Sequence, residues 1–266
     1  MKPSEEAACD ILEWDSDFFR SKIARLREDT LRPALADAVD VWCERQAVDC
    51  LYALLRSDDP ESSRVALSHG YRLVDVRVTL ERETSCRPES QLDSRSSRPT
   101  CVIRPFQARD LPGLRRIARA RHRDTRFFFD GNFAPQRCED LYERWIIASC
   151  EGYAQAVFVA QPKETSEEGM AQSSDCIGYI TCHLDEPEKP GRIGLVAVDA
   201  ASTSRGVGRA LVESAVEWFA PQGRLRVSVV TQGRNVAAVR LYERCGFCTA
   251  KVELYYHKWY LREART

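Results

Sequence analysis

Two glycines flanked by arginines follow a predicted strand in the second half of the sequence. Residues 200–209 read Ala-Ala-Ser-Thr-Ser-Arg-Gly-Val-Gly-Arg, after a β-rich run that ends near Asp199 and before a predicted helix over 208–219. Glycines let such a turn aim consecutive backbone N–H groups and a helix N-terminus at one point, which suits a pyrophosphate. In the alternative interpretation, Gly206 and Gly208 only shape the turn, and the arginines lie on a solvated face.

The local charge favours an anion site. Residues 192–244 contain eight arginines and four acidic residues, a net charge of +4. The whole chain has 39 basic and 40 acidic residues and a formal charge of −1. The positive charge is therefore concentrated around the glycine loop.

A second segment, residues 235–247, adds two side chains that could do chemistry. Asn235 begins a predicted helix, where it can cap the helix or bind a ligand. Tyr242 lies seven residues further on, nearly on the same face two turns later. Its phenol can act as a proton donor or can be a packed aromatic residue.

Together the two segments resemble the GNAT N-acetyltransferase superfamily, in the Arg-Gly-x-Gly-x-x-Leu loop and the Asn-x-x-Ala-x-x-x-Tyr-x-x-x-Gly-Phe helix. The resemblance implies an α/β fold with a mixed sheet, and acetyl-CoA as cosubstrate. It implies that Tyr242 protonates the departing thiolate. The implied cofactor-binding residues are Val196, Val198, Arg205, Gly206, Val207, Gly208, Arg209 and Asn235. One departure is Thr203, where family members usually carry Gln or Arg.

A narrower resemblance concerns the acceptor amine. The segments 12–19 (LEWDSDFF), 126–129 (RFFF) and 142–145 (YERW) are similar to those of the TDP-4-amino-4,6-dideoxygalactose (TDP-fucosamine) N-acetyltransferases. This resemblance implies an N-terminal partial GNAT-like domain, direct transfer to the 4-amino group of the sugar in a ternary complex, and a homodimer. Arg126, Phe127 and Tyr142 are the predicted substrate-binding residues, because a nucleotide diphosphate needs cations and a base stacks on aromatic rings. Arg20 replaces the glycine expected after the paired phenylalanines.

Composition along the chain predicts two domains. Residues 84–99 are rich in Ser, Pro and charge and have the composition of a linker between an N-terminal domain, 1–83, and a catalytic domain, 100–266. Residues 162–175 are also polar and lie between two predicted strands, as in a long hairpin loop. The segments 69–80 and 245–256 both read as helix end, glycine, aromatic residue and strand. This similarity suggests related halves but does not establish them.

The proton of the attacking ammonium needs an acceptor. His183, at the end of a predicted strand, is a candidate base, and a chain of water molecules is the alternative.

The remaining composition excludes several classes of function. The balanced charge gives no reason to expect nucleic acid as a partner, and no apolar run is long enough to span a membrane. The N-terminus lacks the pattern of a signal peptide, so a cytoplasmic location is expected, with the eleven cysteines as reduced thiols. Cys245 and Cys248 form a CxxC, but there is no second CxxC or HxxxH, so no metal site is predicted.

Three alternatives stay open. The acceptor could be a different amine, either a small molecule or a protein N-terminus. The chain could bind acyl-CoA without turnover, which the Thr203 departure and the cysteine content would motivate. The CxxC could belong to a metal or redox protein.

Overall fold

A ten-stranded mixed sheet runs through residues 8–85, 101–163 and 176–260, which are the parts of the chain that the computed structural model describes. The strands are β1 Cys9–Ile11, β2 Ile23–Leu26, β3 Cys50–Arg56, β4 Arg72–Glu83, β5 Cys101–Pro105, β6 Ala156–Pro162, β7 Gly178–His183, β8 Gly191–Val198, β9 Arg226–Gln232 and β10 Cys248–Trp259. The helices are α1 Glu13–Phe19, α2 Pro33–Arg45, α3 Pro60–Ser68, α4 Leu111–Arg121, α5 Arg126–Asp130, α6 Pro135–Ala148, α7 Val207–Phe219 and α8 Val236–Arg244.

The strand order shows a two-fold pattern. From edge to edge the order is β1-β2-β3-β10-β4-β9-β8-β7-β6-β5. The pairs β2–β3 and β8–β9 are parallel, and every other neighbouring pair is antiparallel. A helix connects β2 to β3 and β3 to β4, just as α7 and α8 connect β8 to β9 and β9 to β10. The sheet is therefore mixed, as predicted.

The two similar segments of the sequence form β4 and β10, which are adjacent strands near the middle of the sheet. β4 leaves the first half and pairs with β9, while β10 leaves the second half and pairs with β3. β4 and β10 also pair with each other, antiparallel, along most of their length. Each half thus places its last strand beside the other half.

Helices cover both faces of the sheet. On one face α7 buries Val207, Leu211, Ala215 and Phe219, a helical spacing, against strands of the second half. On the opposite face α4, α5 and α6 cover a second core, which includes Phe127, Tyr142 and Tyr179. A third core lies in the first half, around α2 and α3.

The first half lacks the glycine loop of the second. Its helix α2 begins at Pro33, which has no N–H group, and follows Arg32 in an extended conformation. The amide of Arg56, at the end of β3, donates a hydrogen bond of 2.9 Å to the carbonyl of Asp29, in the segment between β2 and α2. The segment between β2 and α2 therefore lies against the end of β3.

Two predictions fall largely on residues that the structure does not describe. Of the predicted linker, 86–99 lies outside the described residues, as does 164–175 of the predicted hairpin loop. The strands on either side of that loop, β6 and β7, are antiparallel neighbours. The division into domains 1–83 and 100–266 stays a prediction. No helix of the described ranges combines the length and the apolar character needed to cross a bilayer.

Candidate active site

β8 and β9 begin as a parallel pair and then separate. Their pairing covers Gly191 to Ile193 on β8 and Val227 to Val229 on β9. β8 continues to Val198 and β9 to Gln232, each held by its outer neighbour only. The separation leaves a wedge between the two strands, whose backbone groups on that side have no strand partner.

The amides of Val196 and Val198 face this wedge. Leu195 N–H donates to Thr181 Oγ1 at 2.8 Å and Asp199 N–H to the Ile177 carbonyl at 2.8 Å, both on the β7 side. Because backbone groups alternate along a strand, the N–H groups of Val196 and Val198 point away from β7. A register shift of β8 against β7 just before Val196 marks the point where the wedge opens.

The glycine loop places the start of α7 beyond the end of β8. Gly206, the N-cap of α7, has φ +78°, which glycine adopts without a steric penalty. Ala210 N–H donates to the Gly206 carbonyl, so the N–H groups of residues 207–209 precede the first hydrogen bond of the helix, and the N-cap Gly206 has no side chain that could cap them. Three donors therefore converge at the start of a thirteen-residue helix, an arrangement that binds anions.

Gly208 has a different role from Gly206. A Cβ atom at Gly208 would lie 3.1 Å from Leu241 Cδ2 on α8, so this glycine allows α7 and α8 to pack closely. At Gly206 a Cβ would meet nothing within 4 Å. Arg205 is exposed and Arg209 is half-buried beside the helix start.

Tyr242 is buried in the core beneath α7, with its ring 5.8 Å from that of Phe247. None of the described residues hydrogen-bonds its hydroxyl. Burial raises the pKa of Tyr242, so the phenol keeps its proton at neutral pH. Asn235 is the N-cap of α8 and its Oδ1 accepts from Ala238 N–H at 3.0 Å. Its predicted contact with the cofactor stays a prediction.

His183 lies beside the opening of the wedge. A side chain at Gly194 on β8 would overlap the His183 ring and would approach Thr181 Oγ1 to 2.7 Å, so this glycine makes room for both. His183 Nε2 is 3.2 Å from Thr181 Oγ1. Burial lowers the pKa of His183 to about 4, which makes it neutral at pH 7 but a weak base. Sequence reasoning missed Gly194 and Thr181, which carry no recognisable motif.

The predicted acceptor residues lie on α5 and α6. The guanidinium of Arg126 is over the rings of Phe127, Tyr255 and Tyr52. Phe127 is buried in the core, where it supports Arg126. Tyr142 is also buried, and stacks on His122 with ring centroids 4.6 Å apart. Contacts of these residues with an acceptor stay a prediction.

Side chains from the first half complete this region. Tyr52 on β3 and Asp75 on β4 could not be assigned from the sequence, because no motif surrounds them. Asp75 is directly opposite Tyr255 across the β4–β10 pair, and its Oδ1 lies 3.7 Å from Arg234 Nη2. The candidate acceptor face is thus built from both halves of the chain.

One set of possible metal ligands comes together within the described ranges, namely Cys50, Asp130 and His257, all buried. Asp130 already contacts His257 Nδ1 and accepts hydrogen bonds from Trp259 Nε1 and Asn132 Nδ2. The carboxylate is therefore engaged by protein donors. The ten cysteines that the structure describes are free thiols, with Cys245 buried and Cys248 exposed.

Comparison with known families agrees with this geometry. Residues 119–247 match the model of the acetyltransferase (GNAT) family. The match includes the wedge, the glycine loop and Tyr242. The candidate site therefore lies in a region of the chain that matches the GNAT acetyltransferase family.

Among individual proteins, the chain is similar to the dTDP-fucosamine acetyltransferase of Escherichia coli O6:H1, with 26% identity over 90% of this chain and 93% of that protein. It is also similar to the spore coat polysaccharide biosynthesis protein SpsD of Bacillus subtilis, with 25% identity over 63% of this chain. The match spans only 54% of the length of SpsD.

Solved structures support the fold. A GCN5-related N-acetyltransferase from Sphaerobacter thermophilus superposes on 94% of this chain and 76% of its own, with a TM-score of 0.61 and 16% identity. A tandem GNAT protein from the clavulanic acid biosynthesis pathway superposes on 91% of this chain and 76% of its own, with a TM-score of 0.59 and 11% identity. These similarities establish the GNAT fold.

Proposed function

We propose that the protein transfers an acetyl group from acetyl-CoA to the 4-amino group of a TDP-linked amino-dideoxy sugar, directly and in a ternary complex. The observation that carries the proposal is the wedge between β8 and β9. Beside the strand amides that face the wedge lie the N-terminus of α7, which has no side-chain cap, and the protonated phenol of Tyr242, which packs in the same core as Val196 and Val198.

The donors present fit acetyl-CoA as cosubstrate. The amides of Val196 and Val198 would bind the pantetheine arm, which carries amide groups of its own. The N–H groups of residues 207–209, with the Arg205 and Arg209 side chains nearby, would hold the pyrophosphate. Asn235 would contact the same molecule from the start of α8.

The chemistry required is aminolysis of a thioester. A neutral amine attacks the acetyl carbonyl, a C–N bond forms and the C–S bond breaks. A backbone N–H of β8 at the wedge would stabilise the negative charge that develops on the carbonyl oxygen. Tyr242 would donate its proton to the sulfur as the thiolate departs.

The amine must lose a proton before or during attack. His183 lies next to the wedge, but a side chain with a pKa of about 4 is a poor acceptor for an ammonium proton. A chain of water molecules that leads past His183 to solvent therefore fits the structure better than direct transfer to the imidazole.

The choice of acceptor is supported by similarity along nearly the whole chain to the dTDP-fucosamine acetyltransferase. The proposed substrate-binding residues are Arg126, Phe127 and Tyr142. Phe127 and Tyr142 are buried and would support the surface that contacts the acceptor. A homodimer and a cytoplasmic location remain predictions.

The test is to incubate the full chain with acetyl-CoA and a panel of amines. The panel includes TDP-4-amino-4,6-dideoxygalactose, other TDP-amino sugars, the same sugars without the nucleotide, a polyamine and a peptide with a free N-terminus. We expect release of one thiol and gain of one acetyl group for a TDP-amino sugar.

If another amine of the panel were acetylated faster than the TDP-amino sugars, the proposed acceptor would be wrong and the proposed transfer reaction would stand. Binding of acetyl-CoA with no thiol release for any amine would show a non-catalytic acyl-CoA-binding protein.

A further inference from the structure

The guanidinium of Arg126 is enclosed by aromatic rings and has no anionic partner. Its central carbon lies 3.9 Å from the ring centroid of Phe127, 4.3 Å from that of Tyr255 and 4.8 Å from that of Tyr52. We call this arrangement the Arg126 cage. The Nε atom is buried and has no hydrogen-bond partner. No carboxylate of the described residues comes within ion-pair distance of the guanidinium.

Neighbouring arginines on aromatic rings are satisfied differently. Arg137 lies over Phe18 and donates a hydrogen bond of 3.0 Å to the Phe18 carbonyl. Arg234 lies over Phe129 and donates one of 2.6 Å to the Val74 carbonyl. Arg123 lies over Phe128 and pairs with Glu139 at 2.6 Å. Contact with a ring does not by itself leave an arginine without an acceptor.

A further donor in the cage lacks an acceptor. The hydroxyl of Tyr52 is buried and makes no hydrogen bond. An unpaired buried cation and an unsatisfied buried hydroxyl are each unfavourable, and stacking on rings offsets only part of this for the guanidinium. The region is therefore rich in donors and poor in acceptors.

A ligand that only accepts hydrogen bonds would satisfy these groups. Phosphate oxygens do so, and arginine binds them with short charge-assisted hydrogen bonds. Asp15 and Asp75 influence the cage through space without contacting Arg126, so they leave its donors available.

We propose that the Arg126 cage binds a phosphate group of the diphosphate of the acceptor. The proposal rests on the proposed function, because a nucleotide-linked sugar is what brings a diphosphate to this face. The cofactor is a second possible source of phosphate. However, the residues around the start of α7 belong to the core on one face of the sheet, whereas the cage belongs to the core on the other. The acceptor is therefore the source that the geometry favours.

The experiment measures binding of thymidine diphosphate, thymidine and CoA to the full chain by calorimetry. We expect Arg126→Met to weaken the binding of thymidine diphosphate about ten- to a hundredfold. Arg126→Lys should weaken binding less, because lysine keeps the charge but lacks the planar guanidinium that makes two parallel hydrogen bonds. Binding of CoA should not change. Arg137→Met is the matched control, an arginine over a ring that already has its acceptor, and should bind thymidine diphosphate as the wild type does.

Tyr52→Phe gives a variant that keeps the volume and the packing. It removes a hydroxyl with no partner in the free protein, so the melting temperature should stay equal or rise while the affinity for thymidine diphosphate falls. A purely structural hydroxyl would not produce this combination. Tyr52→Phe also tests the proposal if Arg126→Met does not fold.

Unchanged affinity for thymidine diphosphate in Arg126→Met and Tyr52→Phe would overturn the proposal, as would a wild type that does not bind this ligand. A loss of CoA affinity in Arg126→Met, with thymidine diphosphate unaffected, would assign the cage to the cofactor instead. These results are separable from the proposed function. Acetylation of a nucleotide-free sugar with no thymidine diphosphate binding would leave the transfer reaction intact without the phosphate site.

Discussion

At the scale of single residues, the environment of Tyr242 suits a proton donor more than a base. Burial raises the pKa of its phenol, so the proton is present throughout the neutral range. A thiolate that forms in the wedge would be a stronger base than the carbonyl oxygen of the thioester. A phenol with a raised pKa is a weaker acid, so it would give its proton only to a strong base such as the thiolate that forms as the C–S bond breaks.

We therefore predict that Tyr242→Phe lowers turnover about a hundredfold and leaves acetyl-CoA affinity nearly unchanged, because only the proton is removed. Steady-state kinetics and calorimetry measure the two quantities. Tyr256→Phe is the control, a buried tyrosine in the core of the first half. Equal turnover of Tyr242→Phe and wild type would exclude the phenol as general acid.

Asp75 provides a prediction about pH. Burial raises the pKa of Asp75 to about 6, against the opposing effect of Arg234 and, further away, Arg126. Because the pKa is higher in the folded state, the favourable contribution of the protonated carboxyl is complete below about pH 4 and is lost as the pH rises through about 6. Ionised Asp75 thus destabilises the fold at neutral pH.

Replacing Asp75 by Asn should raise the free energy of unfolding at about pH 8 by up to about 3 kcal/mol, and should change it little near pH 4. Urea unfolding at the two pH values tests this. The exposed Asp124, in the same region, supplies the control variant Asp124→Asn, which should change the free energy of unfolding by no more than about 0.5 kcal/mol because the side chain is at the surface. An equal effect of Asp75→Asn at both pH values would contradict the assignment.

At the scale of the element, the glycine at the start of α7 has two roles, one in the conformation of the backbone and one, as proposed, in the binding of a ligand. Gly206 has φ +78° with open space around the position of a Cβ. Gly70, after α3 in the first half, has the same φ of +78° and the same open space. The two glycines differ in what surrounds them, since Gly206 lies at the N-terminus of a helix and Gly70 follows a helix C-terminus.

We predict that Gly206→Ala and Gly70→Ala each lower the free energy of unfolding by about 1 kcal/mol, the cost of a left-handed backbone with a side chain. Only Gly206→Ala should also weaken the binding of acetyl-CoA, because the added side chain shifts the amides of residues 207–209. Thermal unfolding and calorimetry on the matched pair measure both effects. Equal acetyl-CoA affinity in the two variants would argue against the loop as the pyrophosphate site.

The elements that sequence reasoning found are those with local signals. Helix α7 follows a glycine turn and has apolar residues at helical spacing, and its predicted start at 208 is one residue from the observed start at Val207. Helix α5 has only five residues, too few for a periodic pattern, and was not predicted. The Arg126 cage could not be found either, since Tyr52, Arg126 and Tyr255 meet only through the strand order.

At the scale of the whole molecule, the two halves are interlocked through their last strands. β10 pairs with β3 on one side and with β4 on the other, and β9 also depends on β4. A cut of the chain between β4 and β5 leaves every helix intact within its own piece. It separates β10 from both of its neighbours in the sheet, β3 and β4. An unpaired strand edge in the middle of a sheet favours aggregation over folding.

Residues 93–266 alone should therefore fail to unfold cooperatively and should not bind acetyl-CoA. Co-expression with residues 1–92 should restore both properties, because the two pieces together carry all ten strands. Circular dichroism, thermal unfolding and size-exclusion chromatography compare the pieces with the full chain. Cooperative unfolding of the isolated second piece would show that the interlocked strands are dispensable.

The interlocked strands also affect the order of events during synthesis on the ribosome. β3 and β4 emerge before β10, the strand that belongs between them, which is the last of the ten strands to be translated. Until then, the nascent first half exposes two strand edges to solvent and to chaperones, and Tyr52 lacks its neighbours Arg126 and Tyr255. The region proposed to recognise the acceptor is thus assembled only after β10 has been made.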